Sequence, residues 1–389
     1  MDKIVNLINK KSRTVIGILS GTSVDAVDVV LIKVTGKGGS SVIKVKNFKS
    51  YPINIQLKKH ILGFSSNKSI KIEDVCRLNF IIGNLFADKI NKFLKSSGIS
   101  SEKVDLIGSH GQTVYHIPRS KKMFGFDSKS TLQLGDPSVI ANKTGISVIG
   151  DFRVADIAAG GEGAPLVPYL DYILFSNKLK NRAFLNIGGI SNVTYLRKNC
   201  SQNEIVAFDT GPGNMLIDSL MLKLFGKKFD KDGLVSLKGK VNMDLLSFLK
   251  SFDKYYKKKF PKSTGREYYG DDFVNAVLKF SKKIIPEDII TTVTKFTAFT
   301  IYFNLKSFKT EELIISGGGA KNRSLMHFLK EFLTGINIKS QNENGITFEN
   351  KEAVLFAVLA NELMNGNKTN INSVTGSDKN VFLGKLCIA

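Results

Sequence analysis

The residues best suited to chemistry are Asp209 and the turn after it. Ile205-Val206-Ala207-Phe208 has the apolar, β-rich character of a strand, and it delivers the Asp209 carboxylate to Thr210-Gly211-Pro212-Gly213-Asn214. Gly211 and Gly213 permit positive φ, and Pro212 fixes its own. Asn214 reads as the N-cap of a helix in which Ile217, Leu220, Met221 and Leu224 recur at i, i+3, i+4 and i+7, and Gly226 ends it. A carboxylate at a strand end, aimed at the free N–H groups of a helix N-terminus, suits a general base beside a phosphate. A structural corner whose Asp only caps backbone N–H groups would use the same residues.

Other polar groups also stand at strand ends. Thr14 to Ser20 reads as a strand, Gly21-Thr22-Ser23 turns it, and Val24-Asp25-Ala26-Val27-Asp28 leads a return strand to Ile32. The turn offers N–H groups and two hydroxyls to a phosphate tail, and Asp25 and Asp28 could hold Mg²⁺ directly or through water. Val104 to Thr113 delivers His110 and Gln112, Thr131 to Pro137 delivers Asp136, and Ile146 to Arg153 delivers Asp151 and Arg153. Open α/β sheets bind ligands at such strand ends. His110 suits a substrate contact, although a lone His more often makes a structural hydrogen bond.

Residues 70–95 read as a helix, with Ile81, Leu85, Ile90 and Phe93 among its apolar positions. The glycine-rich loop from Ala158 to Pro168 suits a hinge or a close backbone approach. Ala183 to Leu196 repeats the first hairpin about 170 residues on, with Gly188 and Gly189 at its turn, which predicts a duplicated α/β domain. The strand Glu311 to Ser316 ends in Gly317-Gly318-Gly319, where a flat base can lie against backbone. Glu352 stands in the first turn of a helix from Lys351 to Met364.

The chain has 389 residues, enough for two domains, with 42% hydrophobic residues and 34 glycines, as expected of an α/β protein. No apolar run nears the roughly 18 residues that a membrane span needs. The first twelve residues lack a signal-peptide pattern, and Cys76, Cys200 and Cys387 are widely spaced, so reduced thiols and a cytoplasmic location are expected. The net charge of +22 is spread over lysines without any nucleic-acid-binding motif, so specific nucleic-acid binding is not expected, while polyanionic ligands are favoured. Phe229 to Gly233 opens like a calcium loop but has Val241 where Glu is required, and Gly233 to Lys240 misses a Walker A loop in spacing and at Val241.

Taken together, Gly21 to Asp28, Ser109 to Thr113, Asp151 to Arg153, Gly160 to Pro168, Asn186 to Gly189, Phe208 to Asn214, Lys262 to Glu267 and Ser316 to Gly319 resemble, in order, the anhydro-N-acetylmuramic acid kinase family of the sugar kinase, Hsp70 and actin superfamily. The resemblance implies two ribonuclease-H-like α/β domains around a nucleotide cleft, one of residues 13–180 and 371–389, the other of 181–370. It implies ATP bound through Gly21, Thr22, Ser23, Val24, Asp25, Ala26, Val27, Asp28, Gly188, Gly189, Gly317, Gly318 and Gly319, with Mg²⁺ at Asp25. It also implies Asp209 as catalytic base, Glu352 orienting water or the metal shell, and His110, Gln112 and Arg153 holding an amino sugar. The implied reaction opens 1,6-anhydro-N-acetylmuramic acid with water and phosphorylates O6, in a soluble protein that could pair as a homodimer. The family pattern has Gly at Ala26 and Gln at Glu162, and residues 1–12 resemble an extension. A kinase of another sugar, a nucleotide-binding regulator and a basic nucleic-acid binder are the alternatives. The intact Asp209 argues against the second, and only charge favours the third.

Overall fold

The computed structural model describes residues 2–66, 70–340 and 345–389. The chain divides into two compact units, Met1–Leu174 with Asn342–Ala389, and Phe175–Gln341. Both are α/β, and none of the helices among the described residues is long and apolar enough to cross a membrane.

The first unit is built on strands β1 (Ser12–Ser20), β2 (Ala26–Thr35), β3 (Val42–Pro52), β4 (Leu106–Met123), β5 (Phe126–Leu134) and β6 (Val148–Gly150). β1, β2 and β3 form an antiparallel meander, while β4 lies parallel to β1 and β6 parallel to β4. β5 pairs back on β4. One face packs Ile16, Ile18, Val27, Val29 and Leu31 against Leu78, Ile82, Phe86, Ile90 and Phe93. The last five lie on the helix Ile72–Ser97 at helical spacing. Ile81, expected among its apolar positions, faces solvent at 48% exposure.

Glycine decides what covers the other face. A Cβ on Gly17 would lie 1.8 Å from the Ala353 carbonyl oxygen, and one on Gly108 would lie 2.1 Å from that of Phe356. The helix Lys351–Met364 therefore lies directly on β1 and β4, and it belongs to the first unit. The expected boundary at residue 370 falls too late, because two missing side chains rather than any break in the chain create that interface. Downstream, the last strand, Lys385–Cys387, pairs antiparallel with β6. At the other end, buried Arg13 donates to the carbonyls of Leu7 (2.8 Å) and Ile8 (2.9 Å), tying down the helix Asp2–Asn9.

The second unit repeats the plan with β7 (Arg182–Ile187), β8 (Ile190–Leu196), β9 (Val206–Pro212), β10 (Glu312–Ser316) and β11 (Asn337–Ser340). Its order, β11-β10-β7-β8-β9, matches β6-β4-β1-β2-β3 of the first unit strand for strand, again with an antiparallel meander and two parallel strands. The long helix Pro286–Leu305 serves both of its hydrophobic clusters.

Candidate active site

In the second unit, Asp209 sits within β9, paired with Asn192 of β8. Its carboxylate does not reach for the following helix. Oδ2 accepts from the Thr264 N–H (2.9 Å) and the Ser263 hydroxyl (3.1 Å), while the Asp209 N–H donates to the Lys262 carbonyl (3.1 Å). Oδ1 accepts no hydrogen bond among the described residues. Burial pushes the carboxyl above its ordinary value, Glu267 adds to this, and the Thr264 and Ser263 donors and the Lys262 ammonium oppose it.

The helix Asn214–Phe225 starts differently from the expectation. Its N-cap is Gly213, and Asn214 is its first residue. The N–H groups of Gly213, Asn214 and Met215 donate to the carbonyls of Gly189 (2.9 Å), Gly188 (2.8 Å) and Gly189 (3.0 Å). The first N–H groups at the helix N-terminus are thus taken by carbonyls of the β7–β8 turn. Gly211 has φ 148, but Gly213 has negative φ and is needed for space, since a Cβ would stand 2.3 Å from the Gly188 oxygen.

The same turn faces the triple glycine. A Cβ on Gly317 would lie 2.5 Å from the Ile187 carbonyl oxygen and 2.8 Å from Asn186 Oδ1. A Cβ on Gly319 would lie 2.3 Å from Ile187 Cγ2 and 3.1 Å from Asn214 Oδ1. The ends of β7 and β10 therefore meet backbone to backbone, with exposed Gly189 and Gly318 beside them. Among the described residues Asn186 Oδ1 is buried without a partner, an acceptor awaiting a donor. Asn186 and Asn214 join the candidate site, although the sequence marked Asn214 only as an N-cap and Asn186 only as part of the turn motif Asn186–Gly189.

In the first unit the loop Gly21–Asp25 carries a strained residue. Val24 is buried at φ 54, which costs a β-branched side chain about 1–3 kcal/mol. Thr22 and Ser23 are exposed at the tip, whereas Val24 and Val27 are core side chains that can offer a ligand only backbone. Ala26 begins β2 opposite Pro52 with negative φ, so the methyl that replaces the family's Gly carries no backbone strain. Gln112 Nε2 donates to the Gly21 carbonyl (3.2 Å), and its buried Oε1 has no partner among the described residues. Ser20 Oγ and Ser109 Oγ are likewise buried and unpartnered.

Asp25, expected at the metal, instead forms an exposed ion pair with Lys58, which with Ser23 holds its pKa below the usual value. Asp28 and Glu352 are close enough to repel. Burial raises both, and Arg153 works against the rise at Glu352. By surface area Glu352 is open to solvent, yet protein surrounds its carboxylate, as in a recess. Among the described residues no group of three or more His, Cys, Asp or Glu forms a ready-made metal cage.

His110 does not face outward. Its Nε2 accepts from Arg153 Nε (2.9 Å), its Nδ1 lies 3.1 Å from the Gly111 carbonyl, and its ring stacks on Phe356 at 4.4 Å. Burial and the adjacent guanidinium push its pKa well down, so it is neutral with the proton on Nδ1. Its part is to orient Arg153, which also donates to the Gly163 carbonyl (2.7 Å). The glycine-rich loop is fastened at several points. Fully buried Asp156 accepts from the Gly163 N–H (2.8 Å), the Thr375 hydroxyl (2.7 Å) and Asn370 (3.1 Å), and the Glu162 N–H donates to Thr375 (2.8 Å). This is the close approach expected of the loop, since a Cβ on Gly161 would meet Asp156 Oδ2 at 2.3 Å, and its stapling argues against a hinge there. A polar pocket of about 140 Å³ is lined by Ser109, His110, Gln133, Asp136 and Asp151 among others.

Known proteins match over the same span. The family model for anhydro-N-acetylmuramic acid kinase covers residues 13–389. The enzyme of that name from Caldanaerobacter subterraneus subsp. tengcongensis is 41% identical over 397 residues, covering 100% of both chains. That from Clostridioides difficile is 42% identical over 376 residues, covering 95% of this chain and 97% of its own. The family model starts at the anchoring Arg13, whereas the Caldanaerobacter protein also aligns with the residues before it. Among solved structures, component A of the (R)-2-hydroxyglutaryl-CoA dehydratase of Acidaminococcus fermentans is similar at TM-score 0.43 and 13% identity, over 90% of this chain and 99% of that one. On the sequence matches, the chain belongs to the anhydro-N-acetylmuramic acid kinase family.

Proposed function

We propose that this protein opens 1,6-anhydro-N-acetylmuramic acid with water and phosphorylates its O6, forming N-acetylmuramic acid 6-phosphate and ADP for cell-wall recycling. Asp209 carries this reading. Two donors hold its Oδ2, its Oδ1 accepts no hydrogen bond among the described residues, and burial raises its proton affinity, as suits a base. Oδ1 takes a proton from the water that attacks C1. The C1–O6 bond breaks, the water oxygen stays on C1, and O6 becomes the phosphoryl acceptor.

The residues present fit a nucleotide. In the first unit, Ser20 Oγ, unpartnered among the described residues, can donate to a phosphate. In the second unit, Asn186 Oδ1 can accept from an amino or hydroxyl group, beside Gly317 and Gly319, where a Cβ would not fit. ATP, when bound, supplies the γ-phosphoryl group. Asp25 does not fit Mg²⁺, but Asp28 and Glu352 do, because that ion commonly takes one or two carboxylates together with substrate phosphates. The ion would there screen phosphate charge. Arg153, fixed by His110 and Gly163, is suited to hold the sugar's lactyl carboxylate. Use of ATP and three free cysteines agree with a cytoplasmic location.

The test is turnover of ATP with the anhydro sugar and with a panel of other sugars, the products identified by mass in ¹⁸O-labelled water. Label in the C1 hydroxyl and a phosphate on O6 are expected, and phosphorylation of another sugar in preference would replace the substrate. Asp209→Asn should lower kcat by roughly 10²-fold or more while binding of both substrates persists. Near-normal product formation by that variant would transfer the base role to Glu352 or Asp151.

A further inference from the structure

Asp209 is held by a network that the proposed reaction does not itself use. Asp253 is fully buried and accepts from the Tyr269 hydroxyl (2.8 Å) and the Tyr255 N–H (2.7 Å). The Tyr255 hydroxyl donates to the Asp209 carbonyl (3.2 Å). Lys262 Nζ donates to the Tyr256 carbonyl (2.9 Å) and to Asn304 Oδ1 (2.6 Å), and it lies 5.1 Å and 5.6 Å from the ring centroids of Tyr255 and Phe208. Asn304, on the helix Pro286–Leu305, donates in turn to the Thr210 carbonyl (3.0 Å). Both neighbours of Asp209 in β9 therefore touch Lys262 or its partner. The two residues after Lys262 are the donors that hold Oδ2.

We propose that Lys262 is a positioning residue for Asp209: its ammonium clamps the 262–264 segment onto the helix Pro286–Leu305, so that Ser263 and Thr264 fix Oδ2 and Oδ1 is the oxygen presented to water. This rests on the reading of Asp209 as the base. The charged and titratable groups facing Lys262 are Asp209 on β9, Asp253 after the helix Met243–Phe252, and Lys258 in the intervening loop. Those facing Asp209 are Lys262, Tyr255 and Glu267. Burial draws the ammonium down to about 8, with Asp253 and Asp209 opposing and Lys258 assisting. The clamp is therefore present at neutral pH and lost as pH rises through that value.

The experiment compares pH profiles of kcat/KM for the wild type, Lys262→Arg, Lys262→Met and Asp209→Asn, with far-UV circular dichroism as the folding control. The wild type should show an alkaline limb near pH 8, where the lysine titrates. Arg stays charged, so Lys262→Arg should retain a measurable rate and remove that limb. Lys262→Met takes a positive charge from beside Asp209, so its acid limb should move up by about one pH unit, with kcat falling more than KM rises. Folded variants whose limbs all stay in place, with no rescue by Arg, would overturn the proposal and leave Lys262 a merely structural residue. So would a loss confined to substrate affinity. If Asp209→Asn still turns over, the base assignment fails instead. If it is inactive while the limbs do not move, only the role of Lys262 fails.

Discussion

Gly213→Ala probes the join between the β7–β8 hairpin and the helix behind Asp209. The added Cβ would stand 2.3 Å from the Gly188 oxygen, 3.0 Å from the Gly189 oxygen and 3.0 Å from the Ile190 carbonyl carbon. The first distance is about 1 Å inside ordinary contact, and every atom it meets is backbone, so no side chain can swing aside. The turn and the helix must separate. The three bonds that join them, now 2.8–3.0 Å, then approach or pass the limit of hydrogen bonding. Each is worth about 0.5–1.5 kcal/mol, and overpacking alone costs about 1–3 kcal/mol. One displacement causes both losses, so they overlap, and a total of about 2–4 kcal/mol is expected.

For a unit of this size 1 kcal/mol moves Tm by about 2–4 °C, which puts the drop at about 5–15 °C. The chain has no Trp, so far-UV circular dichroism is the practical readout. The KM for ATP should rise together with the melting change, because Asn214 and Gly188 move with the join. Gly226→Asn is the control, since Gly226 is a left-handed helix cap at φ 64 with nothing within 4 Å of an added Cβ. A Gly213→Ala protein melting within about 2 °C of wild type, with KM for ATP unchanged, would refute the reasoning.

Two other outcomes follow from buried charge. Glu312 accepts from Lys180 (2.8 Å), Lys339 (2.9 Å) and Arg182 (2.8 Å), and these partners hold its carboxyl down to about 2. A depressed carboxyl stabilises the fold above its unfolded value and loses that contribution as pH falls toward 2, so Glu312→Gln should cost about 1–2 kcal/mol at pH 7 and nothing near pH 2. Urea unfolding at both pH values measures this, and an equal cost at both would contradict it. Arg153→Lys keeps the charge but loses the fork that bonds His110 and Gly163 together, so kcat/KM should fall about 10–100-fold with little change in Tm. Unchanged kinetics would show that the fork does not matter.

The duplicated plan was legible in the sequence because both meanders carry the same signal, an apolar strand, a glycine turn and a second apolar strand, and both sheets take the same strand order. The strand that carries Asp209 was legible for a similar reason, as an apolar run leading to a carboxylate, although Asp209 lies within β9 rather than at its end. What holds it was not. The expected helix N-terminus is filled by carbonyls of Gly188 and Gly189, and the actual donors, Ser263 and Thr264, lie more than 50 residues downstream. Local pattern carries no mark of a pairing made across such a distance. His110 went the same way. It was expected at a strand end, but β4 runs on from Leu106 to Met123, and only the structure shows both ring nitrogens committed to Arg153 and Gly111.

Glycine makes the underlying limit clear. Gly213 was expected for positive φ, and Gly17 and Gly108 drew no attention within their strands, yet all three are needed because another backbone passes where Cβ would be. In a sequence, a glycine required by its own φ looks the same as one required by a neighbour. Only the first can be tested against the adjoining turn residues, while the second depends on an element from elsewhere in the chain. Val24 shows the converse, since no glycine marks its positive φ and the strain falls on a β-branched core residue. That residue stands in the loop whose backbone and hydroxyls are proposed to meet phosphate. Strain held by core burial at Val24 and open hydroxyls at Thr22 and Ser23 are two results of one requirement, a tight loop that keeps its tip free.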